Sequence, residues 1–198
     1  MIKIIVVGDI GSGKSYVSNL FGYPVFNADK EVGNLYRKNK LFFKKIKKIF
    51  PKYISIFPLK KDELANIINK NVGNLKKITR AVHPIIRKKM NNFLTKHRNK
   101  KFVVLDIPLY LENKLNTQKD IIVFIDSKKS KILIKLKKRK NFNPRLLKKF
   151  KDLQLPLKYK RTKSKYVLKN NFITSSAKKE VKLIKKDILK NERSSTRH

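Results

Sequence analysis

The chain has 198 residues, with 52 lysines and arginines against 13 aspartates and glutamates, which gives a formal net charge of +39. Hydrophobic residues make up 40% of the chain, enough to bury a core, and the lack of cysteine excludes disulfides, zinc–thiolate sites and cysteine nucleophiles. No uncharged apolar run approaches the roughly 18 residues of a membrane span, and the first residues do not resemble a signal peptide, so we expect a cytoplasmic protein with no membrane partner.

The first elements predicted along the chain are a strand, a glycine-rich turn and a helix. Residues 2–7 form an apolar, β-branched run that is typical of a buried parallel strand. Residues 8–13 are rich in glycine, and residues 14–21 place their apolar side chains on one side of a helix. A short strand over 23–26 and a helix over 31–50 are predicted next.

The rest of the chain alternates helical and strand patterns. We predict helix throughout 60–98, on both sides of Pro84, and strands over 102–106 and 121–126, which both end at aspartate. The later elements are a helix over 128–139, a break at 141–144, a basic helix over 145–155, short final segments at 166–168 and 172–173, and a closing helix over 181–189. This alternation predicts an α/β fold with a doubly wound, mainly parallel sheet of five strands.

A phosphate-binding motif occupies the first turn. Residues 8–15 match G-x-x-x-x-G-K-[ST] between a buried strand and a helix. Glycines let backbone N–H groups converge on a phosphate without Cβ clashes. Lys14 can reach the β- and γ-phosphates, and the Ser15 hydroxyl can ligate Mg²⁺. The motif predicts a purine triphosphate site, whose candidate ATP contacts are Ile10, Gly11, Ser12, Gly13, Lys14 and Ser15.

Further short segments share their order and spacing with one family. They are Asn27-Ala28-Asp29, Leu64-Ala65 with Ile67-Ile68, Val82 to Ile86, Asp106 to Asn113, Leu136 to Arg139, Gln154 to Leu157 with Lys160, and Tyr166 to Asn170. Together with the phosphate loop, they resemble the dephospho-coenzyme A kinases. The resemblance implies that ATP phosphorylates the ribose 3′-hydroxyl of dephospho-coenzyme A, giving coenzyme A and ADP in the last step of coenzyme A biosynthesis.

The same resemblance implies the architecture of a P-loop kinase. A single domain over 1–193 would have its core in 1–59 and 101–193, a helical substrate lobe at about 60–100 and a mobile lid at about 139–160. A frayed tail is expected at 194–198. ATP, Mg²⁺ and dephospho-coenzyme A are the implied ligands, and the sequence leaves the oligomeric state open.

Two further charged residues join Lys14 in the implied catalytic set. Asp29 would position the acceptor hydroxyl and accept its proton, and its alternative role is that of a helix N-cap. Arg139 would stabilise the transferring phosphoryl group as the lid closes. The alternative for Arg139 is a solvated face that is rich in lysine.

The remaining implied site residues concern the acceptor, the metal and the adenine. The acceptor contacts would be His83, Pro108, Leu109 and Glu112. Asp106 would hold Mg²⁺ together with Ser15, and Asn170 would contact the adenine of ATP. The alternatives are a helix start at His83-Pro84, a first-turn helix acid at Glu112 and a plain edge strand before Asn170.

Four positions depart from the residues usual in the family. They are Asp9 for glycine, Tyr16 for threonine, Asn27 for aspartate and Lys135 for arginine. Asp9 brings a carboxylate to the phosphate loop, where it either points away or weakens ATP binding. Asn27 leaves Asp29 as the only carboxylate in its triplet.

The net charge of +39 and the phosphate loop leave rival interpretations. The lysines are spread over the whole chain, which favours compositional drift over a nucleic-acid site, so nucleic acid is not an expected partner. A positive field would also steer anionic substrates. The alternative functions are another small P-loop kinase, acting on a nucleoside monophosphate or shikimate, and a basic nucleotide- or RNA-binding protein with a degenerate kinase site.

Overall fold

The computed structural model describes residues 1–139 and 142–195, and the side chains of these residues except 72 and 193–195. The described residues divide into two compact units. Among the described residues, the first unit is built from segments 1–26, 97–139 and 154–195 with residue 142, and the second from segments 27–96 and 143–153. The functional division into core, substrate lobe and lid remains a prediction.

A five-stranded parallel sheet forms the centre of the first unit. Its strands are β1 (Ile2–Gly8), β2 (Val25–Asn27), β3 (Phe102–Asp106), β4 (Ile121–Asp126) and β5 (Tyr166–Lys169), in the order β2-β3-β1-β4-β5. Strands β2 and β3 lie on one side of β1, and strands β4 and β5, which come later in the chain, lie on the other side. In open sheets of this kind, ligands bind beyond the carboxyl ends of the strands at such a reversal. The predicted doubly wound α/β fold is confirmed.

Apolar burial explains why the predicted strands form. Every residue of β3 is buried, as are the last residues of β1 and most of β4. Such continuous apolar runs suit strands that are covered on both faces. The helices of this unit are α1 (Lys14–Leu20), α6 (Lys129–Lys137), α8 (Leu157–Thr162) and α9 (Thr174–Ser195). Side chains of α1 and α9 complete the core cluster with the sheet.

The second unit is helical and has its own core. Its helices are α2 (Ala28–Lys38), α3 (Lys40–Ile49), α4 (Lys61–Lys70), α5 (Val72–Lys96) and α7 (Pro144–Asp152). Their apolar faces meet in a second buried cluster, which includes Leu35, Phe42, Ile46, Ile67 and Ile78. In this cluster Leu146 of α7 packs against the residues of segment 27–96, and Lys149 donates to the Ile68 carbonyl at 2.8 Å.

Several predicted element boundaries are wrong in this unit. The helix expected over 31–50 is two helices, because Asn39 ends α2 and caps α3 by accepting the Phe42 N–H. The helix expected over 60–98 divides at Asn71. Pro84 lies inside α5, so the helix start considered for His83-Pro84 is also wrong.

The last third of the first unit differs from prediction in its helices. Helix α8 is not predicted by the sequence, and the short segment at 172–173 lies just before α9, where Phe172 has a left-handed φ of 66°. Helix α9 extends well beyond the predicted 181–189. Part of the expected break at 141–144 and part of the expected tail at 194–198 lie outside the described residues. Within the described residues, no helix has the length and apolar character needed to cross a membrane.

Candidate active site

The phosphate loop follows β1 directly, and two of its glycines cannot carry a side chain. Gly11 has φ of 84°, and a Cβ there would approach the Leu136 side chain to 2.9 Å. Gly13 has φ of 91°, and a Cβ there would approach the Asn170 Nδ2 atom to 2.5 Å. Both positions therefore need glycine for backbone conformation and for space.

The polar groups of the loop are held close together. Lys14 Nζ donates to the carbonyls of Asp9 at 2.8 Å and Gly8 at 3.3 Å. The Ser12 hydroxyl is buried and finds no hydrogen-bond partner in the described part of the chain. Such a group is uncommon in a folded protein, and the Ser18 hydroxyl in α1 (Lys14–Leu20) is another among the described residues. The loop thus keeps a cation and a spare hydroxyl beside its glycine backbone, which fits a bound polyphosphate.

Asp9 turns its carboxylate toward the loop backbone. Its Oδ1 atom accepts the N–H of Ile10 at 2.7 Å, and its carbonyl accepts the N–H of Ser12 at 3.1 Å. The side chain is mostly buried. In this conformation the N–H groups of Ile10 and Ser12 are thus engaged within the loop, although both were predicted ATP contacts.

Asn170 supports the loop through its side-chain amide. Its Nδ2 donates to the Ser12 carbonyl at 2.8 Å, and its Oδ1 accepts the N–H of Phe172 at 3.0 Å. The Ser127 hydroxyl donates to the same Ser12 carbonyl at 3.0 Å. Asn170 comes directly after β5. Strand β5 lies at the edge of the sheet, as expected in the alternative interpretation of this segment. The structure thus gives Asn170 a supporting contact, and its contact with adenine stays a prediction.

Helix α6 packs beside the loop, and two cations lie on this helix or just after it. Leu136 and Ile132 lie against the Gly11 position. Lys135 Nζ lies 5.6 Å from the centre of the Phe172 ring, within the range of a cation–π contact. Arg139 follows α6 with its side chain exposed, and its N–H donates to the Leu136 carbonyl. The predicted role of Arg139 stays a prediction.

Asp106 and the turns after it lie at the carboxyl edge of the sheet. Leu105 pairs with Ile5 of β1, so Asp106 follows beside the strand that leads into the phosphate loop. Its side chain is almost fully buried. Pro108 and Leu109 are half-buried in the turns that follow, and the Leu109 carbonyl accepts two hydrogen bonds from Asn113.

Glu112 lies in these turns, so its alternative role as a first-turn helix acid is wrong. The Oε1 atom of Glu112 forms an ion pair with Lys160 Nζ at 2.6 Å and accepts a hydrogen bond from the N–H of Leu155 at 3.1 Å. The Lys160 side chain is 1% exposed and that of Glu112 is 10% exposed. The sequence placed Lys160 in a family motif but indicated no partner for it.

Asp29 and His83 belong to the second unit. Asn27, rather than Asp29, caps α2, because its side chain accepts the N–H of Lys30 at 2.7 Å. Asp29 lies exposed in the first helical turn. Because Asn27 is the cap, the capping role considered for Asp29 is wrong. Burial, with the charge of Asp29 as a smaller cause, raises the pKa of Tyr36 to about 12.

His83 lies half-buried within α5, one residue before Pro84. Burial lowers its pKa, and the positive charge of Arg87 lowers it further. The imidazole is therefore mainly neutral at pH 7, where it both donates and accepts hydrogen bonds.

The oxygen donors of the first unit fit a magnesium ion. Mg²⁺ bound with nucleotide phosphates takes few protein ligands, all oxygen, and keeps several waters. Ser15, at the start of α1, and the carboxylate of Asp106 provide such oxygens. No group of three or more histidines and acidic residues among the described residues forms a cage for a metal ion. A site completed by phosphate oxygens fits this arrangement better than a closed metal centre.

Comparisons with known proteins point to one family. A family model for dephospho-CoA kinases matches residues 2–176. The dephospho-CoA kinase of Wolbachia sp. subsp. Brugia malayi (strain TRS) is 32% identical over 189 residues, covering 93% of this chain and 94% of that protein. The crystal structure of TT1252 from Thermus thermophilus gives a TM-score of 0.76 at 25% identity, covering 96% of this chain and 97% of the other.

A dephospho-CoA kinase from Campylobacter jejuni has the same fold, with a TM-score of 0.64 at 23% identity over 97% of this chain and 100% of that chain. The family match includes the phosphate loop, the turns after β3 and the segment around Asn170. It therefore spans every predicted site residue and confirms the resemblance drawn from the sequence motifs. The chain belongs to the dephospho-CoA kinase family.

Proposed function

We propose that this chain transfers the γ-phosphoryl group of ATP to the ribose 3′-hydroxyl of dephospho-coenzyme A, giving coenzyme A and ADP. The observation that carries the proposal is the built phosphate loop, with Lys14 and the buried Ser12 hydroxyl, inside a chain that matches the family over 2–176. Membership of the family supports dephospho-coenzyme A as the acceptor, and the phosphate loop supports ATP as the donor.

ATP binding rests on the loop and its supports. On binding, Lys14 exchanges its hydrogen bonds to the Asp9 and Gly8 carbonyls for the β- and γ-phosphate oxygens. The backbone from Ile10 to Ser15 would surround the phosphates, and Asn170, which follows β5, would contact the adenine. The Ser15 hydroxyl and Asp106 would hold Mg²⁺, which neutralises charge on the phosphate oxygens.

Asp29 and Arg139 are the proposed catalytic side chains beside Lys14. Asp29 is an exposed carboxylate, so it is able to bind the acceptor hydroxyl and take its proton. Arg139 has an exposed guanidinium, which suits bidentate contact with the transferring phosphoryl group. Closure of the part of the predicted lid that carries Arg139 would bring this side chain to the phosphates and exclude water.

The acceptor would be held by His83, Pro108, Leu109 and Glu112. The neutral imidazole of His83 offers a hydrogen bond without adding charge. Pro108 and Leu109 offer half-buried apolar surface, and Glu112 offers a fixed carboxylate. We assign the protein to the cytoplasm, with small-molecule substrates as its partners.

An acceptor panel tests the proposed reaction. Purified protein is given ATP and Mg²⁺, and ADP release is measured with dephospho-coenzyme A, AMP, shikimate, RNA or no acceptor. The proposal predicts strong stimulation by dephospho-coenzyme A alone. Stimulation by AMP or shikimate instead would show another small-molecule kinase. ATP binding without turnover on any acceptor would show a degenerate kinase site.

A further inference from the structure

Glu112 forms a deeply buried ion pair in the first unit with Lys160, a residue that has no role in the proposed mechanism. Lys160 of α8 reaches Glu112 Oε1 at 2.6 Å, and the two side chains are only 1% and 10% exposed. Lysine is rarely buried to this extent. The pair joins two distant parts of the chain, the turns after β3 and the helix that follows Pro156.

Stability is a poor explanation for such a pair. Removing both charges from water costs about as much as their attraction returns, and an apolar pair of similar volume is often as stable or more stable. What an ion pair offers beyond an apolar contact is orientation, because directional hydrogen bonds to an oxygen hold the carboxylate in place. A role in orientation therefore explains Lys160 better than a role in stability.

Oε1 of Glu112 takes part in two contacts. It accepts hydrogen bonds from Lys160 Nζ and from the N–H of Leu155. An ionised carboxylate has about four lone-pair sites on its two oxygens, so these two contacts leave acceptor capacity at Oε2. The carboxylate is thus anchored through one oxygen, and the other keeps its capacity to accept a hydrogen bond.

The position of the pair connects this oxygen to the candidate active site. Glu112 closely follows Pro108 and Leu109, the proposed acceptor contacts. Helix α8, which carries Lys160, packs against β1, the strand that enters the phosphate loop. The pair therefore holds the turns after β3 to the element that positions the ATP phosphates.

We propose that Lys160 is a positioning residue for the acceptor, which fixes Glu112 through Oε1 and leaves Oε2 to accept a hydrogen bond from a hydroxyl or amide N–H of dephospho-coenzyme A. This inference rests on the proposed function. A residue that acts in this way governs acceptor binding and leaves ATP binding unchanged.

The test compares the KM values of the two substrates in four variants whose melting temperatures are also measured. K160M removes the ammonium but keeps the apolar stem, and K160R keeps a cation. E112M/K160M replaces the whole pair by apolar side chains. K3M is the matched control, because Lys3 pairs at 2.9 Å with Asp120, at the far end of the same β3–β4 connection.

We expect K160M to raise the KM for dephospho-coenzyme A at least about tenfold, the effect of losing one hydrogen bond to a charged group. Its KM for ATP should stay within about twofold of wild type. K3M should lower the melting temperature without changing either KM, and K160R should recover part of the acceptor affinity. E112M/K160M should melt at or above K160M and still bind the acceptor weakly.

Restoration of both melting temperature and acceptor KM in E112M/K160M would overturn the inference, because the pair would then be structural only. An unchanged acceptor KM in K160M would overturn it as well, and would leave the proposed function standing if wild type turns over dephospho-coenzyme A. If K160M fails to fold, K160R and the double variant still decide the question. Absence of wild-type turnover on dephospho-coenzyme A would overturn the proposed function and this inference together.

Discussion

Replacing Gly13 by alanine tests whether the phosphate loop is as tightly supported as the structure shows. The residue has φ of 91°, and the new Cβ would lie 2.5 Å from Asn170 Nδ2. The amide of Asn170 cannot move away cheaply, because it is buried and bonded to the Ser12 carbonyl and the Phe172 N–H. The substitution must therefore distort the loop or break these hydrogen bonds.

Two terms set the expected loss of stability. A left-handed conformation costs a residue with a Cβ roughly 1–2 kcal/mol. Displacing Asn170 costs a further 0.5–1.5 kcal/mol or so for the lost hydrogen bond to Ser12. Gly22 has a similar φ of 70°, but a Cβ there would meet only Lys185 Nζ at an ordinary 3.7 Å. G22A therefore isolates the conformational term, and G13A should cost about 1 kcal/mol more.

Urea unfolding of G13A, G22A and N170A, and of the double variant G13A/N170A, measures these terms. Without the Asn170 side chain, G13A should cost no more than G22A, since only the conformational term remains. Binding of ATP should weaken in G13A and stay at the wild-type level in G22A. Equal losses for G13A and G22A in the wild-type background would refute the argument that Asn170 fills the space beside the loop.

Three further predictions concern the second unit. D29N should lower kcat about 10²–10⁴-fold, the usual contribution of a positioned general base. The control D62N changes an acidic residue in the first turn of α4 and should leave kcat unchanged. Steady-state kinetics of both variants tests this, and a wild-type kcat in D29N would rule out the role assigned to Asp29. Asn27→Ala should lower the free energy of unfolding, measured by urea denaturation, by about 1 kcal/mol. Asn27→Asp should lower it hardly at all, because Asn and Asp both cap helices well. Equal losses in the two variants would contradict the capping role of Asn27. The pKa of His83 in the folded protein lies below its ordinary 6.5, so the unfolded chain binds more protons as the pH falls. The free energy of unfolding should therefore decrease as the pH drops below about 6.5 through the folded pKa. Denaturant unfolding between pH 7.5 and about 5 should show a shallower decrease for H83Q than for wild type. Identical pH profiles for the two proteins would contradict a contribution from His83.

The phosphate loop and the sheet could be predicted because their signals are local. The run of residues before Gly8 is short, rich in β-branched side chains and followed by glycine, which favours a buried strand over a helix, and the glycine spacing indicates the loop. The aspartates that end β3 and β4 were placed correctly for the same reason. These elements carry the predicted ATP contacts, whose roles remain predictions.

The features that escaped prediction depend on single side chains or on distant contacts. Asn39 divides one amphipathic pattern into two helices through one capping hydrogen bond, which periodicity does not reveal. Phe172 adopts a conformation that its residue type disfavours, so no propensity indicates the turn before α9. The partners Glu112 and Lys160 are 48 positions apart in the sequence, and only the fold brings them together.

The most direct test of the central claim is the identity of the phosphorylated product. Purified protein is incubated with ATP, Mg²⁺ and dephospho-coenzyme A, and the product is examined by mass spectrometry and ³¹P NMR, with K14M as the control for contaminating kinases. The account predicts coenzyme A carrying one new phosphate on the ribose 3′-oxygen, formed by wild type and not by K14M. An unmodified acceptor, or a phosphate on any other oxygen, would contradict it.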